Sequence, residues 1–312
     1  MTKPVAIGID IGGTRLRAAA LAQDGTVLER FASPTPASDE TLLVDAIAAV
    51  ANRLGKDLPI GVGIAGIVTS DGVLRYGTNI LVRDVPLAAH IRTLTNGEVV
   101  VANDASVAAF GEQRAGAGAG YRDVVMFTLG TGVGGGIVLD DNLMLGSSGY
   151  GAELGHVVVN DGGRLCPCGN HGCIEAYASG SAFGAIARER LAESDTPSTL
   201  RELEQVEGPD VSRAAASGDP LAISVLEDAG RWLGIAIGSM VNALDPHLVL
   251  IGGGAAKPTA PHVLPIARET MSSMLLGGER REPPPVQLAV LGDDAGMVGA
   301  GMLAAERQAV SA

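Results

Sequence analysis

Twice along the chain an apolar strand runs into a glycine-rich loop and out again as a second strand, and this repetition limits the fold more than any other feature. Residues 4–33 read as strand, glycine turn, strand, an Asp24-Gly25 corner and a third strand, an antiparallel meander with explicit turn chemistry. From Asp123 to Leu129 the pattern restarts, passes a glycine turn into Gly136–Leu139, and corners again at Asp140-Asp141-Asn142. An internal duplication of this kind predicts two glycine loops facing each other across a cleft between two lobes. Such a place suits phosphates.

The segments between and after these units alternate. A helix is expected over Ser38–Leu54, with Ser38 or Asp39 as cap, then a strand over Ile60–Ile67, a helix over Val85–Leu94 and a short strand over Val99–Ala102. Further on come helices near Ser181–Ser194 and through Leu221–Leu244, a strand over Leu248–Ile251 and a last helix from about Asp294. Alternating strands and helices predict a mixed α/β sheet in each lobe. The 312 residues suffice for two cores. The expected division is a small lobe, 1–115, completed by the C-terminal helix at about 296–312, and a large lobe, 116–295, with the boundary near Gly116–Gly120.

Charge narrows the partners. With 22 Lys and Arg against 35 Asp and Glu, the net charge of -13 opposes nucleic acid and anionic membrane surfaces. The longest apolar stretch, Leu233–Ile251, is interrupted by Asn242, Asp245, Pro246 and His247, so no membrane span is expected. The apolar run near the start ends at Asp10, too short for the core of a signal peptide. All three cysteines fall between residues 166 and 173, an odd number that cannot close into disulfides. A reducing, cytoplasmic setting and a metal are expected.

Four groups of residues carry chemistry. The first loop, Gly8-Ile9-Asp10-Ile11-Gly12-Gly13-Thr14, sets a carboxylate at a strand end before bare backbone; Gly12, Gly13 and Thr14 offer phosphate ligands, and Asp10 suits the hydration shell of Mg²⁺. An ordinary hairpin turn explains that loop equally well. The second, Gly130-Thr131-Gly132-Val133-Gly134-Gly135-Gly136, fits the dinucleotide pattern G-x-G-x-x-G, but Ile137-Val138-Leu139 continues it as strand, where that fingerprint demands a helix. It is read instead, through Gly130, Thr131 and Gly132, as a cradle for the phosphates of ATP. With that loop belongs Gly252-Gly253-Gly254, backbone against which a base or ribose can lie. Asp104, after Asn103, stands at the N-terminus of a helix that begins Ala105-Ser106-Val107-Ala108, where it is either a cap or a general base for a hydroxyl attacking a γ-phosphate, and alone the cap is the commoner role.

The fourth group is Cys166-Pro-Cys168 with Cys173 and one histidine. Three thiolates and an imidazole complete a four-coordinate, closed and therefore structural Zn²⁺ site. Spacing leaves His156 and His171 both open. Glu153, His156 and Glu175 flank the site, and polar groups of this kind converging in a cleft match the hydroxyls of a polyol, though each alone fits a solvated loop.

Taken in order, these segments resemble the ROK family of sugar kinases and sugar-responsive repressors, over nearly the whole chain. Ile9–Thr14 is similar to that family's first phosphate motif, Leu129–Gly136 to its second, Glu153-Leu154-Gly155-His156 to its sugar-contact segment, and Cys166-Pro-Cys168-Gly-Asn-His-Gly-Cys173-Ile-Glu175 to its zinc signature. The resemblance, closest to bacterial zinc-containing glucokinases, implies an actin-like ATPase (ribonuclease H-like) α/β fold with two lobes and an interlobe cleft. It implies that Asp104 is the catalytic base and that His156 joins the cysteines on zinc, leaving His171 unligated. It further implies sugar contacts from Asn79, Asn103, Asp104, Glu153, His156 and Glu175, with Gly66 lining the pocket. Arg15, where the family often has lysine, and Ser106, where asparagine is common, depart without touching this chemistry.

The expected reaction is ATP- and Mg²⁺-dependent phosphorylation of a hexose at its 6-hydroxyl, glucose foremost. N-acetylglucosamine, N-acetylmannosamine and fructose are the alternative acceptors, and polyphosphate a disfavoured donor. A sugar-sensing regulator is the competing reading. It is disfavoured by the acidic charge, by the intact Asp104 with both loops, and by a phosphate loop within the first ten residues, where the family's repressors carry a helix-turn-helix. A homodimer or dimer of dimers, its surface on the large lobe, is implied by the resemblance alone.

Overall fold

The computed structural model describes residues 2–77 and 79–311. In chain order its elements are β1 (Ala6–Ile11), β2 (Arg15–Leu21), β3 (Val27–Pro34), α1 (Glu40–Leu54), β4 (Ile60–Ile64), β5 (Ile67–Val68), β6 (Leu74–Tyr76), α2 (Leu87–Leu94), β7 (Val99–Asn103) and α3 (Asp104–Ala115). Then follow β8 (Val124–Leu129), β9 (Val133–Leu139), β10 (Asn142–Leu143), α4 (Glu175–Ala178), α5 (Gly180–Glu193), α6 (Gly208–Ala216), α7 (Pro220–Leu244), β11 (Leu248–Gly252), α8 (Ala256–Met274), β12 (Val286–Leu288) and α9 (Ala295–Ser311).

The duplication is visible in the sheets. One runs β3-β2-β1-β4-β7 and the other β10-β9-β8-β11-β12, so a three-strand meander followed by two crossover strands occurs in each. In the first, β1 pairs antiparallel with β2 and parallel with β4, and β4 parallel with β7. The chain divides into two compact units. One takes residues up to Val124, Gly136–Ala152 and residues from Val290 onward; the other takes Val125–Gly135 and Glu153–Ala289.

In the first unit the alternation of β1 and β4 builds the layers. Ile7, Ile9, Ile11, Ile60, Val62 and Ile64 are buried and join Leu43 and Ile47 of α1 in one core. On the opposite face Gly8 and Gly61 are register partners. A Cβ on Gly8 would lie 1.7 Å from the carbonyl oxygen of Met297, and one on Gly61 1.8 Å from that of Ala300. The backbone of α9 therefore lies directly on the sheet, a separation that only glycine allows.

The strand expected over Ile60–Ile67 is broken into β4 and β5. Ala65 N–H donates the last ladder bond to Ile11 O (3.1 Å), and a Cβ at Gly66 would lie 2.5 Å from Tyr76 O, so the chain leaves the sheet after Ala65. Conversely β9 starts at Val133, ahead of the expected Gly136. In the second unit, α4, α6 and α8 are additional to the helices expected from sequence. Pro261 and Pro265 inside α8 hide it from a propensity reading. It persists because α7 receives it closely: Cβ atoms on Gly230 and Gly234 would stand 2.6 and 2.7 Å from the carbonyls of Val263 and Ala267. Tertiary packing outweighs propensity there. Among the described residues no helix is long and apolar enough to cross a membrane.

Candidate active site

The carboxyl ends of β1, β4 and β7 lie side by side in register, Asp10 opposite Gly63 and Gly63 opposite Ala102, and parallel α/β sheets place ligands at such strand ends. Gly63 leaves room for the next element, since a Cβ there would lie 2.6 Å from Val107 and 3.6 Å from the Cα of Asp104. The cap of α3 is Asn103: its Oδ1 accepts the Ser106 N–H (3.0 Å) and its Nδ2 donates to Gly66 O (3.2 Å). The cap expected at Asp104 is therefore made by Asn103. Asp104 is the first residue inside the helix, and its burial pushes the carboxyl pKa up, partly offset by the N–H groups of Ala105 and Asp104.

Asp10 shares this environment. Burial, then the charge of Asp104, push its pKa up to about 7, against the lowering effect of Arg17, whose guanidinium stands 4.0 Å away and also pairs with Asp293 at 3.0 Å. The loop that follows is tight: Gly12 N–H donates to Arg15 O (3.1 Å), and Thr35 Oγ1 donates to Gly12 O (2.8 Å). A Cβ on Gly13 would lie 2.4 Å from Cβ of Asn79, so the exposed Asn79 is held against the loop ahead of Thr14. Asp10, Gly12, Gly13, Thr14, Gly66, Asn79, Asn103 and Asp104 thus belong to one edge of the first unit.

The second unit holds the other group. Gly130 N–H donates to Gly132 O (2.9 Å), making a tight turn between β8 and β9. Gly130 O accepts the Gly180 N–H (2.8 Å), and Leu129 O accepts the Ala255 N–H (2.9 Å). Gly253, at φ +85°, would bring a Cβ to 2.4 Å from Leu129 O. These contacts draw the starts of α5 and α8 to the glycine turn, around a cavity of about 940 Å³ that α6 also borders through Gly208 and Pro209. The N-terminus of α8 has no side-chain cap, and Gly254 before it faces open space, so the positive end of the helix dipole is open to an anion. Ser181, Phe183, Arg188, Ser212 and Arg213 also line the cavity. Sequence reading missed all five. Three lie on α5 and two on α6, in no linear motif, and only the fold gathers them.

His156, Cys166, Cys168 and Cys173 converge, with one ligand atom from each lying within 4.8 Å of all the others. Cys168 and Cys173 sulfurs are 3.7 Å apart, and Cys166 Sγ is 3.8 Å from His156 Nδ1. Tetrahedral Zn²⁺ with bonds of about 2.3 Å to sulfur and about 2.0 Å to nitrogen requires separations of about 3.6–3.8 Å, so this donor set is compatible with structural zinc. Burial pushes the Cys166 and Cys173 thiols up, which a cation among them would reverse. His171 instead places Nδ1 2.9 Å from Gly163 O. Glu153 precedes the Leu154–His156 turn, and Glu175 starts α4, where its Oε2 accepts the Val133 N–H at 2.9 Å.

With this geometry in place, the comparisons are direct. The chain is 37% identical to a glucokinase of Streptomyces coelicolor over 96% of this chain and 97% of that one. It is 32% identical to an N-acetylmannosamine kinase of Escherichia coli over 79% and 82%. A crystal structure of a ROK family glucokinase from Streptomyces griseus, in complex with glucose and AMPPNP, matches with a TM-score of 0.80 at 38% identity, covering 97% of this chain and 99% of that one. The fold is accordingly the actin-like ATPase α/β fold that the motifs imply. The ROK family model matches residues 6–307, and this chain belongs to the ROK family.

Proposed function

We propose that this protein is an ATP-dependent glucokinase that phosphorylates the 6-hydroxyl of glucose. The observation that carries the reading is Asp104, a carboxyl of raised proton affinity at a helix start whose capping is done by Asn103. Full-length relatives that are glucokinases, and a solved relative holding glucose and AMPPNP, support the same assignment.

In the proposed mechanism the carboxylate of Asp104 accepts the hydroxyl proton as the sugar oxygen bonds to the γ-phosphorus of ATP. The bond from that phosphorus to the bridging oxygen breaks, leaving ADP, and the proton later passes to solvent. The backbone of Gly12, Gly13, Thr14, Gly130, Thr131 and Gly132 donates to phosphate oxygens, and Gly252-Gly253-Gly254 accommodates the rest of the nucleotide. Asp10 would hold the Mg²⁺ that accompanies ATP, since it stands beside Asp104 at the strand ends, where a cation would offset the burial and the neighbouring charge that push its pKa up to about 7. When bound, Mg²⁺ supplies charge neutralisation to the transferring group. Asn79, Asn103, Glu153, His156 and Glu175 supply the sugar's hydrogen bonds, with Gly66 lining the pocket. His156 turns Nδ1 toward Cys166, which leaves Nε2 for a hydroxyl. A closed four-ligand zinc site has no open position and serves structure alone.

The reading extends to a cytoplasmic homodimer or dimer of dimers, and three free cysteines suit that compartment. Light scattering on the purified protein checks the assembly. The testing experiment is ADP release with Mg²⁺-ATP across glucose, mannose, fructose, N-acetylglucosamine and N-acetylmannosamine. Strongest turnover with glucose, abolished by Asp104→Asn, is the expected result. The relative that is an N-acetylmannosamine kinase makes that sugar the acceptor to exclude. Sugar binding without turnover in folded, zinc-replete protein would replace the kinase with a sensor.

A further inference from the structure

The metal knuckle and the second glycine loop are joined by one side chain. Glu175 begins α4 two residues after Cys173. Its Oε2 accepts the Val133 N–H at 2.9 Å, while its Oε1 stands 3.7 Å from Cys166 Sγ. The glycine at 132 is needed for this reach, since a Cβ there would lie 2.3 Å from Glu175 Oε2. The same loop is gripped a second time from the knuckle. Gly155, beside the ligand His156, would bring a Cβ to 1.9 Å from Val133 O, and Leu154 fills the space over Gly135, 2.6 Å from where its Cβ would be. The opposite end of the loop, Gly130 and Thr131, lines the large cavity.

We infer that Glu175 is a positioning residue for the nucleotide: a strut that fixes the glycine loop at Val133 and makes the loop's geometry depend on the metal knuckle. This role is additional to any sugar contact and rests on the proposed nucleotide cavity. Without the strut the buried end of the loop loses its hydrogen bond to the Glu175 side chain, and the Gly130–Thr131 end must be ordered when nucleotide binds. The loss therefore falls on nucleotide affinity even when no sugar is present.

The test is Mg²⁺-ADP binding by calorimetry, without sugar, to full-length zinc-loaded wild type, Glu175→Asp and Glu175→Gln. Aspartate keeps the charge but is one methylene too short to reach Val133, and glutamine keeps the reach and a carbonyl acceptor. The expected result is ADP affinity lowered about tenfold in Glu175→Asp and within about threefold of wild type in Glu175→Gln. Removal of zinc from wild type should also weaken ADP, and the two perturbations together should fall short of the product of their separate effects, because both act through one link. Zinc content and the fluorescence of Trp232, the only tryptophan, its ring tilted against that of Tyr177 at 4.6 Å, report that the knuckle is intact in each variant. Unchanged ADP affinity in Glu175→Asp with only the glucose KM raised would reduce Glu175 to a sugar contact. Tighter ADP binding would mean that the carboxylate occupies an anion position, and fully multiplicative effects would separate it from the metal; each result overturns the strut. Absence of ADP binding to wild type would instead overturn the nucleotide reading on which it rests.

Discussion

Replacing Glu112 should destabilise the first unit far more than its single charge suggests. The residue is 0% exposed in α3, and its Oε2 accepts the Ala117 N–H at 2.9 Å while its Oε1 accepts those of Val290 and Leu291 at 2.9 and 2.6 Å. Three backbone donors, two of them where the chain approaches α9, thus depend on one carboxylate. Glu112→Gln preserves volume but turns one acceptor oxygen into a donor. The amide keeps its oxygen toward Val290 and Leu291, and its NH₂ then opposes the N–H of Ala117. A hydrogen bond to a charged group contributes about 1.5–3 kcal/mol and a buried orphan donor costs about 1–3 kcal/mol, so a loss of about 2–4 kcal/mol is expected. Glu112→Ala orphans all three donors and should lose more. The assay is urea unfolding, with the midpoint shift read at unchanged slope. A shift in Glu112→Gln below about 0.5 kcal/mol, or an alanine variant no worse than glutamine, would refute this accounting. Gly116→Ala offers an independent check, because its Cβ would stand 2.1 Å from Glu112 Oε2 and displace the same carboxylate.

Asp104→Asn should bind glucose within a few-fold of wild type by calorimetry while kcat falls about 10²- to 10⁴-fold. Asp10, whose folded pKa is raised from 3.8 to about 7, binds its proton more tightly folded than unfolded, so its contribution to stability is present at low pH and lost as pH rises through about 7. Thermal unfolding should therefore show wild type losing stability between about pH 4 and pH 7 more steeply than Asp10→Asn, and parallel profiles would contradict that assignment. Gly61→Ala, with its Cβ 1.8 Å from Ala300 O, should lower stability by at least about 3 kcal/mol, whereas Gly254→Ala, with nothing within 4 Å, should change stability by less than about 0.5 kcal/mol in the same unfolding assay.

Some of this was legible in the chain because the signal was local. The alternation in Ile7-Gly8-Ile9 and Ile60-Gly61-Val62 encodes a core face and a glycine face, and the period-two pattern survives without knowledge of what lies opposite. The three cysteines within eight residues were similarly self-sufficient. Asp104 was not, because whether the cap of α3 is Asp104 or Asn103 turns on one residue of register at a helix start, and that is settled by where the Asn103 amide finds Gly66. The helix α8 was hidden for the opposite reason. Its prolines speak against it locally, and the glycines of α7 that accommodate it lie about thirty residues earlier.

By itself, then, the sequence determined the two glycine loops, the repeated meander, the metal ligands as a class and the family they resemble, all of which depend on neighbours within about ten residues. Only the tertiary structure decided the rest. The cavity bordered by α5, α6 and α8, the field of Asp104 on Asp10, and the bond from Glu175 to Val133 join residues that lie far apart in the chain. No periodicity or spacing encodes such pairs. Their proximity follows from how the sheets and helices pack, and so does their chemistry, because desolvation and donor partners are properties of place and not of residue type.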